Sequence, residues 1–248
     1  MNEKKNIKLI LEYDGTRYHG WQRQKNGSTI QDEIEKRIQM MTGESVKLIA
    51  SGRTDAGVHA LHQVCNFMSA SKIAPESFER GLNSLLPNDI HIKQAEYGHL
   101  DFHSRYSAKS KTYEYRILNR SRPDVFLRYY SWHIQRKLDG SAMEKCCSLL
   151  LGRHDFSAFK SSGSKNINPV REMMRAELHS FNDGILCLLF VADGFLRHMV
   201  RNIVGTVVEV GRGRMDFNEF RQILQSGDRR MAGIKAPPQG LFLKMVRY

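Results

Sequence analysis

Residues 28–50, STIQDEIEKRIQMMTGESVKLIA, decide the fold because they place an amphipathic helix directly before a strand. Ser28-Thr29 can cap the start of that helix, and Ser28 followed by Gln31 fits a capping box. Gly43 predicts the end of the helix. Residues 46–50, which follow, predict a strand. Apolar side chains recur at the spacing of one helix face at Ile30, Ile34, Ile38 and Met41.

The flanking sequence extends this helix and strand into a longer unit. Residues 7–13 predict a strand before the helix, and residues 63–68 predict a third strand after it. Pro75 is suited to the first turn of a second helix, and residues 90–97 predict a fourth strand. The resulting order, β-α-β-β-α-β, is that of the ferredoxin-like split unit.

The rest of the chain follows an elaborated version of the same plan. Asp183-Gly184 is a hairpin-turn signal, and residues 160–169, KSSGSKNINP, predict a loop. We therefore expect an α+β protein with two related halves, residues 1–104 and 105–248, whose sheets may join. The later predicted strands are 109–119, 129–134, 171–180, 184–192 and 240–246, and the later predicted helices are 139–151, 195–210 and 217–224.

Charge is unevenly distributed along the 248 residues, which carry 38 Lys and Arg, 26 Asp and Glu, and a net charge of +12. Residues 1–100 hold 13 basic and 12 acidic residues, whereas residues 101–248 hold 25 and 14. This asymmetry favours a polyanion as the partner of the second half. No apolar stretch is long enough for a membrane span, and we see no signal peptide. Four cysteines without CxxC spacing favour a reducing, cytoplasmic setting and no structural zinc.

The densest polar cluster in the first half is SGRTDAGVH, residues 51–59, in a predicted loop between two strands. Arg53 and Asp55 are close enough in sequence to share one pocket. A carboxylate beside an arginine stays ionised at neutral pH, and an ionised aspartate can act as a nucleophile or a base. The alternative is an ordinary turn with a surface ion pair.

Three further segments carry candidate chemistry. Residues 15–24 combine aromatic, arginine and glutamine side chains suited to nucleic-acid bases and phosphates, with a buried tryptophan as the alternative. His154 beside Asp155 suggests a catalytic base or a metal ligand, with capping near a helix end as the alternative. Arg197 and Arg201 share one face of a predicted apolar helix, and a buried arginine there needs an anionic partner.

The motifs together resemble one family, the bacterial tRNA pseudouridine synthase A family, along essentially the whole chain. The block GRTDAGVHA, residues 52–60, is the most specific part of the resemblance. The other matching segments, in order, are YDGT (13–16), GWQ (20–22), TIQ (29–31), LN and LP (82–83, 86–87), DI (89–90), KTYEY (111–115), G with HDF (152, 154–156), MVRNIVG (199–205), AP (236–237) and GL (240–241).

The resemblance implies the reaction and its residues. The family isomerises uridine to pseudouridine at positions 38, 39 and 40 of the tRNA anticodon stem-loop. Asp55 matches the essential aspartate, which is either the nucleophile or the carboxylate that stabilises the detached sugar. Arg53 matches an arginine that helps to extrude the nucleotide, and Tyr113 matches a tyrosine that stacks on the base. Arg201 matches the arginine that pairs with the catalytic carboxylate, and Leu241 matches an apolar pocket residue.

The resemblance also implies architecture and partners. It implies two pseudo-symmetric ferredoxin-like halves, with antiparallel sheets joined around a central catalytic cleft. It implies a homodimer that binds tRNA and needs neither a cofactor nor a metal. Two other classes stay open on the residues alone. One is a non-catalytic RNA-binding protein, and the other is a metal-dependent hydrolase that uses His154 and Asp155.

Overall fold

A computed structural model describes residues 3–161 and 168–248, so residues 162–167 of the predicted loop 160–169 lie outside the described residues. The chain forms two compact units, Met1–Lys109 with Phe242–Tyr248, and Ser110–Leu241. The elements, in chain order, are β1 (Lys5–Tyr13), α1 (Ile30–Thr42), β2 (Ile49–Ala50), β3 (His59–Ser69), α2 (Pro75–Leu85), β4 (Ile90–Gly98), β5 (Ser110–Leu118), β6 (Trp132–His133), α3 (Gly140–Leu149), β7 (Gly152–Asp155), β8 (Val170–Ser180), β9 (Ile185–Ala192), α4 (Met199–Gly211), α5 (Phe217–Ser226) and β10 (Leu241–Arg247).

The first unit is built on antiparallel strands in the order β4-β1-β3, with β2 pairing antiparallel to β3. The start of β10 pairs parallel to β3, with Phe242 opposite His59. Alternate residues of β1 enter the core. The apolar faces of α1 and α2 are buried at Ile30, Ile34, Ile38, Phe78 and Leu82, whereas Met41 at the end of the predicted face of α1 is only partly buried. The largest buried side chains of this core are Ile7, Leu9, Leu11, Ile30, Ile34, Phe67 and Phe78.

The start of α1 confirms the predicted cap but not the predicted capping box. Of the two residues predicted to cap the helix, Thr29 does so, and its side chain accepts a hydrogen bond from the Asp32 N–H. The Gln31 side chain does not form the capping-box hydrogen bond with the Ser28 backbone. It is buried instead, and it donates to the Glu35 carboxylate at 2.7 Å. Gly43 does end the helix, with a φ of 74°.

The predicted strand 46–50 is much shorter than expected. Only Ile49–Ala50 pairs with β3. The reason is the partner of the preceding residue: the Leu48 N–H donates to the Glu35 carboxylate at 2.8 Å. A helix side chain therefore takes the backbone donor that a longer strand would need.

The second unit has antiparallel neighbours in the order β5-β9-β8-β7, and β6 pairs parallel to β5. The hairpin between β8 and β9 forms at the predicted place, with left-handed backbone at Asp183 and Gly184. The predicted strand 129–134 is reduced to Trp132–His133, because residues 125–130 form successive turns. In the part of the chain that the structure describes, no helix is long and apolar enough to cross a membrane.

Helix α4 begins four residues later than predicted. His198 has a left-handed backbone, with a φ of 62°, so the helix begins at Met199. Arg197 is therefore outside the helix and exposed, and the expectation that Arg197 and Arg201 share one helix face is wrong. From Met199 onward α4 is buried on nearly every side, as its run of apolar residues predicts.

Candidate active site

Buried polar groups of β3 support the start of the loop that carries Asp55, residues 51–59. The Ser51 N–H continues the pairing of β2 by donating to the Val64 carbonyl at 2.8 Å. Gln63, which is fully buried on β3, accepts from the Ser51 hydroxyl and donates to the Gly52 carbonyl at 2.9 Å. The Gln63 side chain thus satisfies polar groups at the base of the loop.

A second contact fixes the loop one residue before the aspartate. The Tyr13 hydroxyl and the Thr54 hydroxyl are 2.8 Å apart, and both residues are buried. Burial raises the pKa of Tyr13 to about 12, so its hydroxyl keeps its proton at neutral pH. The Trp21 N–H donates to the Thr54 carbonyl at 3.1 Å, and the Val58 N–H closes a turn on the Asp55 carbonyl.

Glycines let the preceding segment approach the loop closely. A Cβ on Gly20, whose φ is 89°, would lie 2.5 Å from the Thr54 carbonyl oxygen and 2.9 Å from the Asp55 carbonyl carbon. A Cβ on Gly15 would lie 2.0 Å from the Val58 carbonyl oxygen. The backbone on both sides of Asp55 therefore packs directly against Gly15 and Gly20, where a larger residue would collide with it.

This packing decides between the two interpretations of residues 15–24, a surface for nucleic-acid bases and a loop with a buried tryptophan. Trp21 and Tyr18 are 2% and 6% exposed, so neither ring offers a face to a nucleic-acid base. Arg17 pairs with Asp89, and Arg23 pairs with Asp32. The segment is a scaffold for the Asp55 loop, and the buried-tryptophan alternative is the right one.

The two candidate residues of the loop differ in exposure. Asp55 is half-buried, and Arg53, two residues before it, is exposed. The loop thus holds Asp55 in a half-buried position and leaves Arg53 exposed two residues away on the same backbone. That the two side chains share one pocket stays a prediction.

In the second unit, β5 presents two tyrosines on the same face with different surroundings. Tyr113 is 8% exposed and meets the Phe195 ring edge-on, with centroids 5.0 Å apart. Tyr115 is fully buried, and its hydroxyl donates to the Pro237 carbonyl at 2.8 Å. The Tyr115 hydroxyl is thus bound to the protein backbone, whereas Tyr113 packs against an aromatic ring at the edge of the core.

Arg201 lies in the first turn of α4 and is buried. Its Nε donates to the Ala236 carbonyl at 2.8 Å, and the Ala236 N–H donates back to the Arg201 carbonyl at 3.0 Å. Burial raises the pKa of Tyr115, and the Arg201 charge partly opposes that rise. The guanidinium therefore acts on Tyr115 of β5 as well as on the segment before β10.

Leu241 is buried at the start of β10. The residue before it, Gly240, lies so close to β5 that a Cβ there would be 2.8 Å from both the Tyr115 ring and the Arg116 carbonyl oxygen. Within the second unit, Tyr115, Arg201 and Leu241 are therefore all linked by the one segment 236–241.

His154 and Asp155 have structural roles. His154 bonds through Nε2 to the Leu151 carbonyl, and the Asp155 carboxylate accepts from the Ser157 N–H. Among residues 3–161 and 168–248, no group of three or more His, Cys, Asp or Glu side chains could hold a metal ion. The capping alternative is the one that the contacts bear out.

Sequence reasoning missed the supporting residues. Gln63 holds the base of the Asp55 loop, and Asn202 joins α4 to the Phe159 carbonyl at 2.7 Å. Gly205 permits close packing of α4, because a Cβ there would lie 1.6 Å from the Ile234 carbonyl oxygen. Asn202 and Gly205 lie in the segment MVRNIVG, whose unusual glycine in an apolar helix was the available signal.

Comparisons with known proteins agree over nearly the full length. A sequence model of the family described as tRNA pseudouridine synthase matches residues 9–107 and 146–248. The tRNA pseudouridine synthase A of Acetivibrio thermocellus is 49% identical over 244 residues, which cover 98% of this chain and 100% of that protein. Proteins of the same name from Thermoanaerobacter sp. (strain X514) and Exiguobacterium sp. are 48% and 47% identical, covering 98% of this chain and 100% and 97% of their own lengths. The chain therefore belongs to the tRNA pseudouridine synthase family.

Proposed function

We propose that this protein is an isomerase that converts uridine to pseudouridine at positions 38, 39 and 40 in the anticodon stem-loop of tRNA. The N-glycosidic bond of the uridine breaks, the uracil turns, and a carbon–carbon bond forms through its C5 atom. Substrate and product have the same atoms, so no redox partner is required. The observation that carries the proposal is the rigid GRTDAGVH loop in a chain that matches this family along its length.

Asp55 is proposed as the catalytic carboxylate, acting as the nucleophile. Attack on the sugar and attack on the base both require an ionised oxygen whose position does not drift between binding and reaction. This role is supported by two contacts that fix the Asp55 backbone: Gly20 packs against it, and the Val58 N–H donates to its carbonyl. A mobile loop would lose much of the advantage of a fixed nucleophile.

Four further residues are proposed to contact the substrate: Arg53, Tyr113, Arg201 and Leu241. A uridine within a stem is inaccessible until it leaves the helix, and an exposed arginine such as Arg53 suits that extrusion. The Tyr113 ring suits stacking on the uracil. Arg201 is a fixed positive charge because Ala236 orients its Nε. Leu241 adds an apolar contact.

The architecture proposed for the family has support within each unit. In the first unit α1 lies between β1 and β2, and the strands run β1-β3-β2. In the second unit α3 lies between β5 and β8, and the strands run β5-β9-β8. This parallel supports two related ferredoxin-like halves, which we propose as residues 1–104 and 105–248. We also propose a homodimer, which the resemblance implies, and a cytoplasmic setting, which the cysteine pattern favours.

Asp55→Asn tests the function directly. The amide keeps the size of the carboxylate but lacks its charge and nucleophilicity, so we expect at least a 1,000-fold loss of pseudouridine formation (on the order of 10³ or more) with tRNA binding retained. Pseudouridine mapping on a tRNA transcript measures the product. Asp101→Asn, at an aspartate that is 83% exposed in the same unit, is the matched control. Turnover by Asp55→Asn at the rate of the control variant would reject the proposal.

A further inference from the structure

An exposed turn in the second unit, residues 120–130, has a composition that the reaction does not account for. It has the sequence RSRPDVFLRYY and connects β5 with β6. At its tip Phe126 is 84% exposed and Val125 is 69% exposed, while Tyr129 is 46% exposed. A fully solvated phenylalanine beside an exposed valine is unusual enough to mark a binding surface.

The turn is rigid, and its rigidity does not depend on burying Phe126. The Asp124 carboxylate accepts from the N–H groups of Phe126 and Leu127 at 2.8 and 3.1 Å. The Arg120 guanidinium also donates to Asp124, at 2.7 Å. The Ser131 hydroxyl donates to the Leu127 carbonyl. The backbone is therefore satisfied by its own polar groups, and the ring is held outward at low entropic cost on binding.

Both ends of the turn are anchored to the sheet of the second unit. Asn119 donates to the carbonyls of Ile134 and Arg136 at 2.8 and 2.7 Å and accepts from the Leu138 N–H. His133 bonds through Nε2 to the Arg120 carbonyl at 2.8 Å. These contacts place the turn at a fixed position relative to β5, the strand that carries Tyr113.

The charge of the turn favours a polyanion over a second copy of the chain. Residues 120–130 hold three arginines and one aspartate, and Arg136 and Lys137 follow. The Arg128 guanidinium lies 4.4 Å from the centre of the Tyr129 ring, an arrangement that presents cation and aromatic face together. In a symmetric dimer through this turn, arginines would face arginines.

We propose that residues 122–129 form a base-stacking platform for single-stranded RNA, with the Phe126 ring as the stacking face and Arg122 and Arg128 as phosphate contacts. The platform combines the two features of such sites, a basic surface and an exposed ring that accepts any base. Resting on the proposed function, the RNA is an unpaired part of the tRNA substrate, bound apart from the uridine that reacts.

Phe126→Leu and Phe126→Tyr separate stacking from simple apolar contact. Leucine keeps the apolar side chain but loses the aromatic face, whereas tyrosine keeps that face. We expect Phe126→Leu to raise the Kd for a tRNA transcript by about 5- to 50-fold and Phe126→Tyr to change it by less than about 2-fold. Phe217→Leu, at a partly exposed phenylalanine on α5, is the matched control and should bind as the parent does.

Two more measurements make the outcome decisive. Arg128→Gln should reduce the slope of log Kd against log salt concentration by about 1, because one phosphate contact is lost. Sedimentation of the variants measures the oligomeric state. A dimer that Phe126→Leu and Val125→Ala both dissociate would identify a protein interface and overturn the proposal. So would equal Kd values for Phe126→Leu and the parent, whereas failure of the parent itself to modify tRNA would reject the proposed function instead.

Discussion

The chain has two segments that mix aromatic residues with arginines, and the structure uses them in opposite ways. In residues 15–24 the aromatic rings are buried and the arginines pair with carboxylates. In residues 120–130 the rings of Phe126 and Tyr129 are exposed, and Arg128 lies over the Tyr129 ring. Composition alone predicts nucleic-acid contact for the first segment as readily as for the second. Burial decides between scaffold and binding surface.

Replacing one aromatic residue in each segment by alanine tests most directly whether one segment is a scaffold and the other a surface. Trp21→Ala removes a side chain that is 2% exposed, and we expect it to lower the free energy of unfolding by about 3–5 kcal/mol. Phe126→Ala removes one that is 84% exposed, so the change should stay within about 0.5 kcal/mol. Urea unfolding of both variants measures the two values. Similar losses for both would contradict the assignment of one scaffold and one surface.

Gly20→Ala tests whether the scaffold segment positions Asp55. The new Cβ would collide with the backbone of Thr54 and Asp55, and the left-handed φ of 89° adds strain for alanine. We expect a loss of stability of about 2 kcal/mol or more, together with a fall in kcat of about 10- to 100-fold from the displaced carboxylate. Urea unfolding and single-turnover kinetics on tRNA measure the two effects.

Gly43→Ala is the matched control for that variant. Its φ is 74°, but a Cβ there would meet nothing within 4 Å. We expect a stability loss of about 1 kcal/mol with kcat unchanged. A kcat that falls equally in both variants would show that general destabilisation, not the position of the loop, sets the rate.

The sequence predicts elements well where one repeating pattern controls the structure. The apolar spacing of α1 and the Asp183-Gly184 turn both describe contacts between residues that are near neighbours in the chain. Predictions failed where a distant group intervened. Glu35 takes the Leu48 N–H and shortens β2. The hydroxyl of Ser161, 37 residues earlier, lies 2.7 Å from Nδ1 of His198, whose left-handed backbone delays the start of α4.

The same distinction applies to the site. The motif GRTDAGVH marks Asp55 and Arg53 because its residues are contiguous. Gln63 and Tyr13, which support that loop, are brought together by the register of β1 and β3, which pairs Leu11 with Gln63. The register between two strands that are about fifty residues apart cannot be predicted from local sequence pattern. The contacts of Gln63 and Tyr13 with the loop are therefore found only from the structure.

The smallest predicted effect is a dependence of the exposed turn, residues 120–130, on pH. The N–H groups of Leu127 and Phe126, and then the Arg120 guanidinium, hold the pKa of Asp124 below its ordinary value of 3.8. Since the native pKa is the lower one, the contribution of this carboxylate is complete above the unfolded pKa and is lost as the pH falls through the native pKa. The exposed turn should therefore loosen in acid while the rest of the protein stays folded.

The amide chemical shifts of Phe126 and Leu127, followed from about pH 5 to about pH 3, measure this loosening. Asp124→Asn should remove the pH dependence, because an amide does not titrate. The Val64 amide is the internal reference, since it donates to the neutral Gln63 side chain at the base of the scaffold, and its shift should not change over the same range. A Val64 shift that moved together with that of Phe126 would mean that the change is not confined to the exposed turn, and the contrast between the scaffold and the turn would fail.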